Sequence, residues 1–371
     1  MNILAIESSC DETACAVIKD GTEILSSVVA SSTAMHEKWG GIVPEVAARE
    51  QLSSILPVIT EALTPFSQIN ALSAIRYQPI IIKNIDAIAV TVGPGLIGSL
   101  LIGVETAKTL ALVTGKPIIP VNHVLAHMYA NFLKTENRKR KADNAKFRHP
   151  SSVIRPPFPA ISLVVSGGHT ELFLMKSEKE LQWLGGTIDD AAGEAFDKSA
   201  RLLGFGSRGG VAIQETARKC QMPNAKCQIK LPRPLMYDRS LNFSFSGLKT
   251  AVMREVQTIK NNNTWNDEII SQFSHEVQEA ITDVLVAKTM KAAELHDAKS
   301  IMISGGVASN SRLREKMKEV ISRQSSVIRF LAPEAQYCTD NAAFIGSYAF
   351  FRGKQEDWHD VTAIPDLSVE E

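Results

Sequence analysis

The sequence predicts an α/β protein of two similar lobes with a cleft between them. Three observations lead there. At 371 residues the chain exceeds what one hydrophobic core usually serves. Its opening reads as a β-meander: apolar runs Ile3–Ile6, Thr13–Ile18 and Glu23–Val29 are separated by a small polar turn and by Lys19-Asp20-Gly21. The same order of strand, polar turn, strand, polar turn and strand returns at Ala160–Val165, Glu171–Met175 and Leu181–Leu184, without close sequence identity. Two copies of one topological unit imply twin lobes, and ligands commonly bind between such lobes.

Composition sets outer bounds. With 44% apolar and 22% charged residues the chain is ordinary for a globular protein, and 40 Lys+Arg balance 40 Asp+Glu. A nucleic acid must therefore meet a local basic patch or a partner's surface, because the protein as a whole has no positive field. Met1 leads straight into the strand-like Asn2-Ile3-Leu4-Ala5-Ile6, so no secretory signal is expected. No stretch approaches the ~18 uninterrupted apolar residues of a membrane span. Cys10, Cys15, Cys220, Cys227 and Cys338 are odd in number and contain no C-x-x-C, which predicts reduced thiols in a cytoplasm.

In chain order, the first turn, Glu7-Ser8-Ser9-Cys10-Asp11-Glu12-Thr13, packs hydroxyls and three acids into seven positions, more than a plain hairpin requires. An amphipathic helix follows Gly40-Gly41, with Pro44 in its first turn and Val46, Ile55, Leu56, Ile59 and Leu63 on helical spacing. Residues 64–84 read as an elongated connection. A buried strand, Ile85–Val92, runs into Gly93-Pro94-Gly95 and a helix to about Val113; glycines at such a junction suit close approach of an anion to backbone N–H groups, or simply a tight turn. A short strand, Pro117–Val121, then delivers Val121-Asn122-His123-Val124-Leu125-Ala126-His127.

If that last segment is helical, His123 and His127 lie four apart on one face, able to bind one metal ion from one side. A third ligand must come from elsewhere, and Asp340, in a polar turn that opens a late apolar helix, is the best candidate. The plain alternatives are a half-buried helix face for the pair and an N-cap for Asp340.

Residues 134–157 turn charged and then proline-bearing, which marks a seam or surface loop; its basic cluster, Arg138-Lys139-Arg140-Lys141, suits either phosphate contact or plain solvation. The division expected is an N-terminal lobe over 1–134, an insertion over 135–157, a C-terminal lobe over 158–351 whose chain end can pack back on the N-terminal lobe, and a polar tail over 352–371. In the second lobe the turn Ser166-Gly167-Gly168-His169-Thr170 is again small and polar. A helix entered after Gly185-Gly186 carries Asp189, Asp190, Glu194 and Asp197 in its first turns, more acids than its dipole needs, and Asp197 suits ribose hydroxyls. Gly204–Gly210 is too glycine-rich for a bare linker. The long amphipathic segment 267–295 reads as core. Strand Ser300–Ser304, Gly305-Gly306 and a helix from about Ser311 form an arrangement for holding a nucleotide against backbone, with Asn310 available to it. Val327–Leu331 is the last strand.

Taken together, IESSCDETACAVI, VTVGPGLIGSL, VNHVLAH, SGGHT, GGTIDDAAGEAFDK, SGGVASN and TDNAA closely resemble the bacterial and organellar tRNA N6-adenosine threonylcarbamoyltransferases of the TsaD type, in unbroken order from Met1 to about Phe351. The resemblance implies the two-lobed actin, sugar-kinase and heat-shock-ATPase (ASKHA) fold with duplicated RNase H-like units. It implies transfer of threonylcarbamoyl from threonylcarbamoyl-AMP to the adenosine 3′ of the anticodon in tRNAs reading codons that begin with A. It further implies a metal, iron first and zinc as the alternative, on His123, His127 and Asp340, an adenylate site at Val164, Val165, Ser166, Gly167, Gly168, Asp197, Gly210 and Asn310, and TsaB- and TsaE-like partners. Leu125-Ala126 stand where many relatives have Glu-Gly, and the segments 64–84 and 134–157 are longer than usual.

Asp11 or Glu12 is the expected acceptor of the amine proton. Three other readings compete. A kinase or ATPase of the same fold has no reason to keep two histidines at helical spacing. A metalloendopeptidase of the H-E-x-x-H kind needs glutamate where Val124 stands. A non-enzymatic scaffold would not need so many ligand-like turns.

Overall fold

The structure, a computed structural model, describes residues 1–36, 39, 41–66, 84–134, 155–206, 209–220, 229–262, 264–324 and 327–370. The expected roles of Arg138-Lys139-Arg140-Lys141, of Cys227 and of most of 64–84 and 134–157 fall outside them. Contacts divide the chain into one unit of Met1–Arg155 with Asp340–Glu370 and another of Pro156–Thr339.

In the first unit the meander forms as the apolar alternation demands: β1 (Asn2–Glu7), β2 (Glu12–Lys19) and β3 (Glu23–Ser31) pair antiparallel. Then β4 (Ala87–Gly93) and β5 (Ile118–Asn122) add in parallel beside β1, giving the order β3-β2-β1-β4-β5. Helix α1 is the single turn Thr33–His36. Helix α2 (Pro44–Leu63) turns Ala47, Gln51, Ile55, Val58, Ile59, Ala62 and Leu63 inward. Leu56, expected on that stripe, is 60% exposed, because the buried face runs through positions 55 and 59 instead. Helix α3 (Ile97–Thr114) connects β4 to β5 and is capped by Gly115 in the left-handed region. Among the described residues it alone is long and apolar enough to cross a membrane; here it packs Leu100, Val104, Ala107 and Ala111 into the core. Helix α4 is the short His123–His127.

The second unit repeats the plan. Strands β6 (Ala160–Val165), β7 (Thr170–Met175) and β8 (Leu181–Gly186) form the meander, and β9 (Ser300–Ser304) and β10 (Arg329–Leu331) add in parallel, in the order β10-β9-β6-β7-β8. Counted from the first strand of each unit, both sheets read third, second, first, fourth, fifth, so the duplication read from the sequence is present. Its helices are α5 (Ala192–Leu203), α6 (Gly209–Cys220), α7 (Ser246–Asn261), α8 (Asp267–Leu295) and α9 (Ser311–Gln324). Because α5 begins only at Ala192, Asp189 and Asp190 precede it. Asp189 instead accepts from the Ser244 and Ser246 hydroxyls and the Phe245 amide at the start of α7, and those bonds hold its carboxyl below the usual range against the opposing effect of burial.

The chain end lies with the first unit. Helix α10 (Ala342–Phe351) is almost wholly apolar and packs on β1 and β2 of the first unit, not in the second lobe. Gly346 permits this, since a Cβ there would stand 2.6 Å from the Ile18 side chain. The segment after it is a strap and not a loose polar tail: Glu356 N–H donates to Ile118 O, Ile364 N–H to Val92 O, and Pro365 O accepts from Gly95 N–H. Val361 is buried in the first core beside Trp358, Ala363 and Leu367. Of the two readings of this glycine turn, anion approach or a tight turn, the Gly95 amide serves neither an anion nor the turn itself but donates to the chain's own end.

Charge is concentrated where α8 meets α9. Arg312 donates to both oxygens of Glu279, at 2.7 and 3.2 Å, and Lys316 lies 2.8 Å from the same carboxylate. Burial alone would raise the Glu279 carboxyl, but these cations bring it down to about 2. A depressed carboxylate stabilises the fold above its unfolded value near 4.5, and that contribution is lost as pH falls toward 2. We predict that Glu279→Gln costs ~3 kcal/mol of unfolding free energy at pH 7 and that the loss shrinks below pH 4, measured by denaturant unfolding across that range.

Candidate metal centre

Three side chains far apart in sequence converge in the first unit. Strand β5 ends at Asn122, whose Oδ1 accepts from the Val124 and Leu125 amides at 3.0 and 3.2 Å, so α4 starts at His123 and both histidines fall on one face. Asn122 Nδ2 donates to Ser368 O of the strap. At the other end of the chain Asn341 caps α10, accepting from the Ala343 amide at 3.0 Å. Asp340 is therefore not the cap. Its Oδ1 lies 3.5 Å from His123 Nε2 and 3.4 Å from His127 Nε2, and one ligand atom from each residue falls within 4.8 Å of the others. Donors at Zn–N distances of ~2.0–2.1 Å stand roughly 3.3–3.4 Å apart in a tetrahedral shell, so these spacings suit a shared ion.

The chemistry of the donors agrees. His127 is 1% exposed; among the described residues its Nδ1 has no hydrogen-bond partner and its Nε2 faces Asp340 Oδ1 at 3.4 Å, while one face of the ring lies against Phe344, with centroids 4.4 Å apart. Burial lowers its tendency to take a proton, Asp340 only partly opposing, which leaves the neutral imidazole that a metal requires. For His123 burial works in the same direction, but the carboxylates of Glu7 and Asp340 outweigh it and push the ring up to about 9. A cationic imidazole between two carboxylates is what such a site holds when a proton takes the place of a metal charge.

Glu7, which the sequence places in the acid-rich first turn without a role of its own, is the last residue of β1. It is completely buried at the end of β1, 3.0 Å from His123 Nδ1. Burial would raise its carboxyl, but the His123 charge and hydrogen bond hold it low.

The neighbouring turn is fixed by Gln51 of α2, whose Nε2 lies within 3.3 Å of the carbonyl oxygens of Ser8, Cys10 and Glu12. A glutamine on a helix face carried no sequence signal for that role. Asp11 accepts from the Thr33 hydroxyl at 2.7 Å. Glu12 is pushed up to about 9 by burial, then by Asp340 and Asp11. Cys338, two residues before Asp340, is buried with Sγ 3.1 Å from Arg314, in keeping with a packing role.

In the second unit the expected nucleotide residues fall into two groups. Val164 and Val165 end β6 in the core, and the turn Ser166-Gly167-Gly168 lies across the start of α5, with Gly193 and Glu194 amides donating to Ser166 O and Gly167 O. Gly305 follows β9 with φ +89° and approaches so closely that a Cβ would meet Val165 O at 2.3 Å. Around Gly167, Gly168 and Gly306 nothing comes within 4 Å of an added Cβ, leaving open backbone. Asp197, Gly210 and Asn310 are turned to other work. The Asp197 carboxylate accepts from the Gly210 and Gly209 amides at the start of α6, although burial raises it overall. Asn310 caps α9, accepting from the Leu313 amide at 3.0 Å and donating to Gln278 at 3.1 Å, so both ends of its amide are used within the protein.

The family described as TsaD: tRNA N6-adenosine threonylcarbamoyltransferase matches residues 23–347. Curated relatives carrying that enzyme name include one from Persephonella marina, 45% identical over 96% of this chain and 91% of its own length. Another, from Thermosipho africanus, is 42% identical over 100% of both chains. Among solved structures, full-length HypF in its phosphate- and nucleotide-bound form aligns with 94% of this chain and 46% of that one, at TM-score 0.56 and 11% identity. HypF from T. kodakarensis aligns with 94% and 47%, at TM-score 0.54 and 14% identity. At such identity the likeness concerns the fold alone, which with the twin mixed sheets is the expected ASKHA class. Likeness over nearly the whole sequence to curated enzymes places this chain in the TsaD family of tRNA N6-adenosine threonylcarbamoyltransferases.

Proposed function

We propose that this chain forms N6-threonylcarbamoyladenosine, moving the threonylcarbamoyl group from threonylcarbamoyl-AMP to the adenosine 3′ of the anticodon in tRNAs that read codons beginning with A. The observation that carries the reading is the convergence of His123, His127 and Asp340 in a chain that matches this family over nearly its full length. The N6 amine attacks the carbamoyl carbonyl carbon, forming the N–C bond. The C–O bond to the phosphate breaks and AMP leaves with the electron pair. The exocyclic amine is a weak nucleophile because its lone pair is delocalised into the ring, so orienting it against an already activated donor is the main task.

His123, His127 and Asp340 hold one divalent ion. Two imidazoles and one carboxylate favour iron(II), with zinc as the alternative. When bound, the ion supplies a Lewis acid beside the carbonyl. Asp11 or Glu12, in the turn beside the centre, takes the amine proton. The open turn at Ser166-Gly167-Gly168, with Val164, Val165, Asp197, Gly210 and Asn310, receives the adenylate. Partners of the TsaB and TsaE kind are favoured by apolar surface on α2 and α3, where Leu52, Leu56, Leu112 and Val113 are each at least 59% exposed. A tRNA substrate suits a cytoplasmic place of action. Neither kinase nor peptidase chemistry has an observation in its favour, since likeness to HypF concerns fold alone and Val124 supplies no general base.

Two outcomes are expected. Incubation with threonylcarbamoyl-AMP, partners and tRNA, read by mass spectrometry of tRNA nucleosides, yields the modified nucleoside with the natural chain. His127→Ala or Asp340→Ala lowers it at least ~100-fold while circular dichroism is unchanged; a folded variant with full activity would refute the metal assignment. Separately, His127→Leu does not destabilise the metal-free chain, because it removes a buried imidazole whose unmet hydrogen bonds cost ~1–3 kcal/mol. With metal at about a hundred times its Kd, denaturant midpoints reverse, the natural chain gaining ~2.7 kcal/mol that the variant lacks.

A further inference from the structure

We propose that Glu7 is a positioning residue for the metal centre: its carboxylate holds the Nδ1 proton of His123 and so presents the Nε2 lone pair toward Asp340 and the cation. The inference rests on the metal reading above but concerns a residue that touches neither substrate nor ion.

Glu7 is 0% exposed, and its two oxygens meet three donors. Oε1 accepts the Ser9 amide at 2.6 Å; Oε2 accepts the Thr91 hydroxyl at 2.5 Å and faces His123 Nδ1 at 3.0 Å. An ionised carboxylate is the one side chain of this size that accepts at both ends, so every donor around it is answered. A neutral imidazole has a single N–H. Anchored at Nδ1 by Glu7, it leaves the lone pair on Nε2, the atom 3.5 Å from Asp340. Among the described residues His127 Nδ1 has no such partner, so the pair is asymmetric, with only His123 anchored from behind by a carboxylate.

Charge gives a second, independent reason. Two neutral imidazoles and Asp340 around a divalent cation leave one net positive charge in a site where His127 and His123 are 1% and 7% exposed. Glu7 cancels it at one bond's remove, and an uncompensated charge there would be expensive.

Glu7→Gln separates this role from packing because it preserves shape. If the new NH2 faces the Ser9 amide, two donors collide. If it faces His123 it donates to Nδ1 and drives the imidazole proton onto Nε2, where the ion should bind. With metal-stripped protein and zinc as the probe, competition against a chromophoric chelator is expected to show Glu7→Gln binding about 10–100-fold more weakly than the natural chain. Thr91→Val, which removes a donor but spares the His123 bond, should change zinc affinity by less than about threefold. Nitrogen-15 NMR of the zinc-loaded natural chain, which requires no variant to fold, should place the proton of His123 on Nδ1, strongly downfield, with zinc on Nε2. The inference is overturned if Glu7→Gln matches the natural affinity, or if zinc sits on Nδ1. Failure of the natural chain to take up zinc or iron(II) at all would remove the metal reading itself and this inference with it.

Discussion

The return of α10 to the first sheet is the constraint on which the candidate centre depends. Asp340 is separated from His127 by more than half the chain, and no local preference can bring a carboxylate to within 3.5 Å of two imidazoles over that distance. What does so is apolar burial. Phe344, Ile345 and Tyr348 are buried on the first unit's side, Gly346 lets the helix backbone lie against Ile18, and Ser347 donates to Gly21 O at 2.7 Å. Burying each such side chain stabilises by about 1.5–3 kcal/mol, ample to fix the helix start. Asn341 then takes the cap and leaves Asp340 to the histidines.

Once assembled, the site is held in electrostatic tension. Glu7, Asp340, Asp11 and Glu12 crowd one end of the first sheet around two imidazoles. Without a divalent ion the charges settle by sharing protons, so that Glu12 keeps one and His123 gains one. A buried group shifts its protonation before it tolerates an unpaired charge. Two imidazoles and a carboxylate whose ligand atoms lie within 4.8 Å of one another form a donor set that could take a metal ion in place of a proton.

The second unit spends its polar residues differently. Glycine-bearing junctions at the ends of β6 and β9 and the start of α5 press backbone against backbone, and several side chains that look like ligand contacts serve as caps. Asp197 satisfies the amides at the start of α6, Asn310 those of α9, and Asp189 those of α7. A helix start leaves amides that need acceptors, and short polar side chains meet that need whether or not a ligand is near. What stays open is backbone, at Gly167, Gly168 and Gly306.

From the sequence alone the strands, the main helices, their duplicated order and the histidine pair were legible, because apolar period, turn residues and helical spacing act over a few neighbours. Asp340 was legible only as a candidate, since its neighbour Asn341 is an equally good cap and the choice depends on what each residue faces. Tertiary structure alone decided which backbone bonds tie the chain end to the first unit, that the Gly95 amide is one of them, that Leu56 faces outward, and that Glu7 and Gln51 buttress the site. These roles are set by long-range packing and by the low polarity of the interior. There a strand-end acid and a helix-face glutamine become useful only because groups more than forty residues away come to lie beside them.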